Sequence, residues 1–384
     1  MTMSFTNAEL ETLLGRPVRR LLTGADRQAF AGRRVLITGA GGSVGSELAR
    51  QIARCAPERL TLVDHSELNL FQIERDLIER APEAPIESVL ADVTRSGSVR
   101  RLCRSARPHV VYHAAAYKHV SMVERAVCAA VAANVVGTAN VADAAHEVGA
   151  RLVLISTDKA ASPCSVMGAT KRLAEHVVMG KASQTFRPIV VRFGNVLGSS
   201  GSVLTIMRDH VRRGRPVPLT DPAASRYFMT ADEAVALVIK ADLLARRPET
   251  YWLDMGEPVR IGDLAARLLA LEVRAGFPEV PLDIVGLRPG EKLREELTAQ
   301  GLRMCPTTHR RIWVARQPPG DREAIERSLR RLRRHVGCGD AYAALETVAA
   351  AVPEFEVSAA ARASARAQTL QLAAQTLRPY ARTA

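Results

Sequence analysis

The strongest constraint on the fold is the stretch Val35-Leu36-Ile37-Thr38-Gly39-Ala40-Gly41-Gly42-Ser43-Val44-Gly45-Ser46-Glu47-Leu48. An apolar run too short for a helix ends in glycines, and an amphipathic pattern begins directly after them. Glycine is needed where the chain turns tightly, where another group approaches the backbone closely, and where a helix packs hard against a strand. A strand, a glycine turn and a helix in that order open a strand-helix-strand unit. The start of such a helix offers N–H groups with no partner inside the helix, and these attract phosphate.

The same alternation continues down the chain. Apolar runs at 35–37, 60–63, 110–112, 152–155 and 189–191, with a shorter one around Val89, read as buried parallel strands separated by helices. The fold class is therefore α/β: a doubly wound parallel Rossmann sheet, followed by a smaller C-terminal substrate-binding α/β domain. The boundaries read as an N-terminal extension over 1–30, a dinucleotide-binding domain over 31–195, a substrate domain over 196–350 interleaved with the first, and a helical or disordered tail over 351–384. Within the second domain, helices are expected near 231–246 and 261–273, a strand and loop over Pro278–Gly290, and a helix over Glu291–Gln300.

Charge narrows the class further. A formal charge of +13 invites a nucleic-acid partner, but the arginines are spread over many helices and aromatic residues make up only 4%, so stacking platforms for bases are scarce. No nucleic acid is expected. The 6 cysteines show no paired spacing, which argues against a disulfide framework or a zinc site and for a reducing cytoplasm; no metal is expected. No apolar run of about 18 residues is present to serve as a transmembrane segment.

Candidate ligand-binding residues lie where strands end, because ligands of open α/β sheets sit beyond the carboxyl edge. Thr38, Gly39, Gly42, Ser43, Val44 and Gly45 cradle a pyrophosphate. Asp64, followed by His65 and Ser66, can accept hydrogen bonds from an adenosine ribose and would repel a 2′-phosphate, which favours NAD over NADP. A helix cap is the alternative role for Asp64. Asp92 and Val93 suit the adenine edge, and Ala114, Ala115 and Ala116 form a small-residue wall. After the fifth strand come Ser156-Thr157-Asp158-Lys159, then a helix in which Met167 and Lys171 share one face.

Together with Tyr117-Lys118-His119-Val120, Arg192-Phe193-Gly194-Asn195-Val196-Leu197-Gly198-Ser199, Arg226-Tyr227-Phe228-Met229-Thr230 and Leu287-Arg288-Pro289-Gly290-Glu291-Lys292, these stretches resemble the nucleotide-sugar 4,6-dehydratases of bacterial polysaccharide and glycan biosynthesis. Those enzymes are extended short-chain reductases that act on UDP-N-acetylglucosamine. The resemblance covers roughly residues 30–345. It implies a bound NAD, a UDP-sugar substrate, loss of water to give a 4-keto-6-deoxy sugar, and a homo-oligomer with a helical interface near 121–147 and 166–182. Met167, where short-chain reductases carry Tyr, resembles the branch that retains configuration at C5.

On this reading Lys159 is the base that takes the C5 proton. Its amine must then be neutral, so the site must lower a pKa that is about 10.4 in a free lysine. Asp158 is the acid for the departing hydroxyl, Thr157 or a water leading to Asp158 takes the C4 hydroxyl proton, and Lys171 binds the nicotinamide ribose. Met167 is an inert wall, with core filler as its alternative role. Lys118, Asn195, Val203, Arg226, Arg288 and Glu291 are the substrate-binding candidates, arginine offering a planar fork to phosphate. A UDP-sugar epimerase and a non-catalytic nucleotide-sugar sensor are the competing readings; retention of both Asp158 and Lys159 argues against them.

Overall fold

The computed structural model describes residues 5–19, 21–296, 303–316 and 320–377. One large sheet contains nine strands: β1 (Arg34–Thr38), β2 (Arg59–Asp64), β3 (Ile86–Leu90), β4 (Val110–His113), β5 (Arg151–Ile155), β6 (Ile189–Arg192), β7 (Glu249–Leu253), β8 (Arg303–Pro306) and β9 (Ile312–Arg316). Their spatial order is β8-β9-β7-β6-β5-β4-β1-β2-β3. Strands β1 to β7 are parallel, and β9 and β8 add an antiparallel edge. Every apolar run expected to be a strand is one, but the run around Val89 forms edge strand β3, which is only partly buried because no strand lies beyond it. The central strands are buried almost end to end, as a sheet covered on both faces requires.

Helices supply the two covers. Ser43–Ala53, Glu67–Arg80 and Ala231–Leu244 pack Leu48, Ile52, Ile73 and Leu237 onto one face. Ser96–Ala106, Thr138–Glu147 and Val166–Gly180 pack Val99, Val141, Ala145 and Val178 onto the other. Strand order reverses between β1 and β4, so the loops that follow them diverge and leave a crevice at the carboxyl edge.

A smaller cluster lies beyond that edge, built by helices Val203–Arg212 and Ile261–Arg274 around Leu204, Met207, Leu264 and Leu268. The N-terminal extension is part of it. Helix Asn7–Leu14 buries Leu13 and Leu14 there, and Arg16 pairs with buried Glu233 at 2.6 Å. The chain then returns to the large sheet through β7, β8 and β9, which is where the two units interleave. Glu291–Gln300 differs from expectation: Glu291–Glu296 is irregular strap rather than helix, while 297–300 lie outside the described residues. Backbone hydrogen bonds that a helix would make internally go instead to neighbouring loops, as with Ser225 N–H donating to Leu293 O at 2.9 Å.

The C-terminal region packs back onto the chain. Helices Arg322–Cys338, Ala341–Ala351 and Ala359–Leu377 are packed against the protein, with Leu332, Leu345, Val348, Phe355 and Ala365 buried against Val127, Val131, Val135, Leu173 and Val177. The tail is therefore helix as far as Leu377, docked through Ala361 and Ala365, and 378–384 lie outside the described residues. Part of the apolar surface of the helices over 121–147 and 166–182 is covered by this same chain. Among the described residues one helix, Val127–Glu147, is long and apolar enough to cross a membrane, and 72% of its most apolar window is buried inside the protein. Its apolarity is that of a core helix covered on several sides.

Because Leu345 is fully buried between these layers, Leu345→Ala should lower the unfolding free energy by roughly 2–5 kcal/mol. Urea denaturation would read this as a lower midpoint; a midpoint shift near zero would mean that the C-terminal helices are not part of the cooperative core.

Candidate active site

The crevice is built from backbone first. At Gly39, which has φ +68°, a Cβ would stand 2.6 Å from Ala115 N, and at Gly45 a Cβ would stand 2.0 Å from Gly39 O. The β1 turn can therefore lie against Ala114–Ala115 and its own helix only with glycine at both places. Gly42 is the N-cap of helix Ser43–Ala53 and makes no side-chain capping bond, so the helix's leading N–H groups have no side-chain acceptor there. Asp64, 6% exposed, accepts from Gly41 N–H at 3.0 Å and Ser66 N–H at 2.9 Å, so it braces the glycine turn from β2. Ser66 caps the next helix, and the capping alternative for Asp64 falls away. A carboxylate has about four acceptor directions, which leaves room for a ribose hydroxyl. His65 stands edge-on to Tyr117 at 6.3 Å across the groove.

Below the crevice a buried relay holds the walls. Thr138 Oγ1 donates to Asn134 O at 2.7 Å, so it accepts from His113 Nε2–H at 2.9 Å. His113 Nδ1 then accepts the Thr38 hydroxyl at 2.6 Å. Burial, with Lys171 nearby, pushes the His113 pKa down to about 3, which keeps the ring neutral as this pattern needs. Asn134 lies in a π-helical turn, Val131–Gly137, and uses its amide to hold both the N–H and C=O of Tyr117. The wider turn thus fixes the loop that presents exposed Lys118. Asp92 closes its own turn by accepting Thr94 N–H at 2.8 Å, and Val93 packs over Gly137.

The catalytic candidates follow β5. Thr157 caps the short turn Asp158–Ala160 and donates to Asp158 Oδ1 at 2.8 Å. Lys159 Nζ donates to the same oxygen at 3.0 Å and to Asn195 Oδ1 at 3.1 Å. Asp158 Oδ2 is buried and has no hydrogen-bond partner among the described residues. Buried polar atoms are paired in folded proteins, so this oxygen is suited to a ligand hydroxyl. At Gly194 a Cβ would stand 2.8 Å from it, which reserves the space beside it.

The two lysines have exchanged the expected roles in charge. Burial lowers the Lys159 pKa, but Asp158 and Glu295 beside it outweigh burial, and the net shift is upward. Lys171 is the lysine that burial pushes down, to about 8, against the pull of Glu175; its Nζ donates to Ile155 O at 2.7 Å. The expected lowering at Lys159 was inferred from the reaction, and it fails here because two carboxylates flank the amine.

Met167 is 4% exposed and packs with Val166 and Ala169 in the cluster under the C-terminal helices. Val203 opens helix Val203–Arg212. Arg226 spends its fork on backbone, donating to Ser225 O, Leu293 O and Lys292 O. Glu291 Oε2 accepts Arg288 N–H at 3.1 Å, closing a local turn, and Arg288 is exposed. Two residues absent from the sequence reading, Glu175 and Glu295, complete the site. Glu175 ties Ser156 to Arg192 behind the catalytic turn, and Glu295 reaches Lys159. Glu175 had a usable signal, one turn after Lys171 on the same helix; Glu295 had none, because its contact depends on the path of the strap.

The fold is that of a Rossmann-type α/β protein. The chain belongs to the polysaccharide biosynthesis protein family, which matches residues 35–317. It is similar to the probable polysaccharide biosynthesis protein EpsC of Bacillus subtilis, 43% identical over 84% of this chain and 54% of EpsC, so the chain spans about half the length of that relative. It is 27% identical to the UDP-N-acetylglucosamine 4,6-dehydratase (inverting) of Campylobacter jejuni, over 69% of this chain and 77% of the relative. The X-ray structure of Pen from Bacillus thuringiensis superposes with a TM-score of 0.70 at 29% identity, covering 75% of this chain and 89% of Pen.

The Lys171 shift has a consequence for stability. Between about pH 8 and 10.5 the unfolded chain keeps a proton on Lys171 that the folded chain has released, so this group makes stability rise with pH in that window. Lys171→Met should flatten the rise, which is on the order of 3 kcal/mol. Chemical denaturation at several pH values checks it, and identical curves for the two proteins would contradict the buried-amine account.

Proposed function

We propose that the protein dehydrates UDP-N-acetylglucosamine to UDP-2-acetamido-2,6-dideoxy-4-keto-hexose, with NAD as a retained cofactor and with configuration kept at C5, in the making of a bacterial polysaccharide or glycan. The observation that carries this reading is the Asp158–Lys159 pair at the end of β5, with one buried carboxylate oxygen left unpaired, set beside a glycine turn that can hold a dinucleotide. An epimerase has no use for that pair. The similarity to a dehydratase of UDP-N-acetylglucosamine supports the substrate class. A homo-oligomer remains part of the proposal, with the outer faces of the helices near 121–147 and 166–182 as its expected interface.

The residues fit NAD. Gly39, Gly42, Ser43 and Gly45 would hold its pyrophosphate against the uncapped helix start, Asp64 its adenosine ribose, and Lys171 its nicotinamide ribose. Bound there, NAD supplies an acceptor for hydride from C4 and a donor of hydride to C6. Oxidation at C4 makes the C5 proton acidic, and Lys159 takes it in the molecules whose amine is neutral, a fraction that Asp158 and Glu295 keep small. Asp158 gives a proton to the hydroxyl leaving C6, and its proximity to Thr157 provides a path from the C4 hydroxyl. Met167 cannot move a proton. Return of the C5 proton by the same Lys159 delivers it to the face it left, which is retention.

Purified protein should release NAD on denaturation, and Gly45→Ala should lose it, because the added methyl meets Gly39 O. Chromatography of the released nucleotide tests both, and mainly NADP would defeat the assignment of Asp64.

With UDP-N-acetylglucosamine the expected product is lighter by one water and has unchanged C5 configuration by NMR coupling. Lys159→Ala should lose 10²-fold or more in turnover, the usual order for a general base, whereas Met167→Leu, of similar volume, should keep most of it. An isomer of unchanged mass would point to epimerisation, and a C5-inverted product would end the inert-wall account of Met167.

A further inference from the structure

The segment from Leu287 to Glu296 crosses the mouth of the site as a strap, and its attachments are specific. Lys292 Nζ donates to Ser162 O at 3.0 Å and lies 3.3 Å from Ser162 Oγ, both on the catalytic loop. At Gly290, φ +81°, a Cβ would stand 2.9 Å from Ser165 Cβ, so glycine lets the strap lie flat on the start of helix Val166–Gly180. Arg226 Nη2 donates to Lys292 O at 2.7 Å. This anchoring delivers Glu295, whose side chain is 8% exposed, between two cations: its Oε1 is 3.5 Å from Lys159 Nζ and 3.6 Å from Arg226 Nε. The catalytic pair is thus a line of four charges, Asp158, Lys159, Glu295 and Arg226.

We propose that Glu295 is a positioning residue that sets the proton occupancy of Lys159, and with it the pH range in which the base can act. The inference rests on the role given to Lys159 under the dehydratase reading. Asp158 alone would hold the ammonium from below, on the sheet side. Glu295 holds it from the strap, while Arg226 keeps the Glu295 carboxylate from turning away. Asn195 accepts from the amine without charge, and Cys164 is the other titratable group near it. Removing the Glu295 charge leaves burial and Arg226 opposing the ammonium, so the amine sheds its proton more easily.

The test uses Glu295→Gln and Glu295→Asp in the full chain, with kcat and KM for UDP-N-acetylglucosamine measured across pH. In Glu295→Gln the rising limb of kcat, which reports the base in the complex, should move to lower pH by roughly one unit or more, with KM nearly unchanged. Glu295→Asp should restore part of the shift. A limb that stays in place, or a raised KM without a shift, would overturn the proposal and leave Glu295 a strut of the strap. A second readout needs no turnover: acetic anhydride labelling of Lys159, quantified by mass spectrometry, should reach half-completion at lower pH in Glu295→Gln than in the parent. If the parent makes no dehydrated product, the dehydratase reading fails, and the labelling still decides whether Glu295 controls Lys159; coincident labelling curves would refute that control.

Discussion

The catalytic line depends on one buried carboxylate. Glu175, 2% exposed, accepts the Ser156 hydroxyl at 2.5 Å and Arg192 Nε at 2.8 Å, and Arg192 Nη2 binds its other oxygen. Arg172 lies beside it. The knot joins the end of β5, the end of β6 and the helix Val166–Gly180, which are the three elements that carry Asp158, Asn195 and Lys171 into one place. A buried carboxylate gains little over an apolar residue of the same shape, yet stripping it of a partner costs on the order of 3–5 kcal/mol. What such a knot provides is registration. Against the opposing effect of burial, pairing with Arg192 and Arg172 keeps Glu175 charged and holds its carboxyl below the usual range.

The parallel sheet was readable because its signals are local and redundant. Each strand is a short β-branched run, and the glycines between Thr38 and Gly45 report a turn that no other residue fits. The placement of Asp158 and Lys159 followed from the same logic, since residues that end a central strand must face the crevice. Asp64 was also legible, although its bonds to Gly41 and Ser66 N–H show that it shapes the turn as well as lining it.

Features set by distant chain were not legible. The upward shift at Lys159 comes from Asp158 and in part from Glu295, more than a hundred positions away and carried by a strap that reads locally as a helix. Arg226 looked like a phosphate fork because nothing near it in sequence shows the carbonyls of Lys292 and Leu293 that it serves. Ala-rich Ala359–Leu377 has a weak local pattern, and only the apolar face it meets reveals why it orders.

That covered face changes how assembly and folding are related. Had Val131, Val135 and Leu173 met their counterparts from another copy, dilution would have exposed them, and folding would have been tied to concentration. Leu332, Leu345 and Phe355 meet them instead, as an intramolecular second half whose effective concentration is fixed by the chain. The nucleotide crevice is therefore backed by a finished core in a single chain, and any association between copies is free to act on the site's outer loops without being needed to hold its floor.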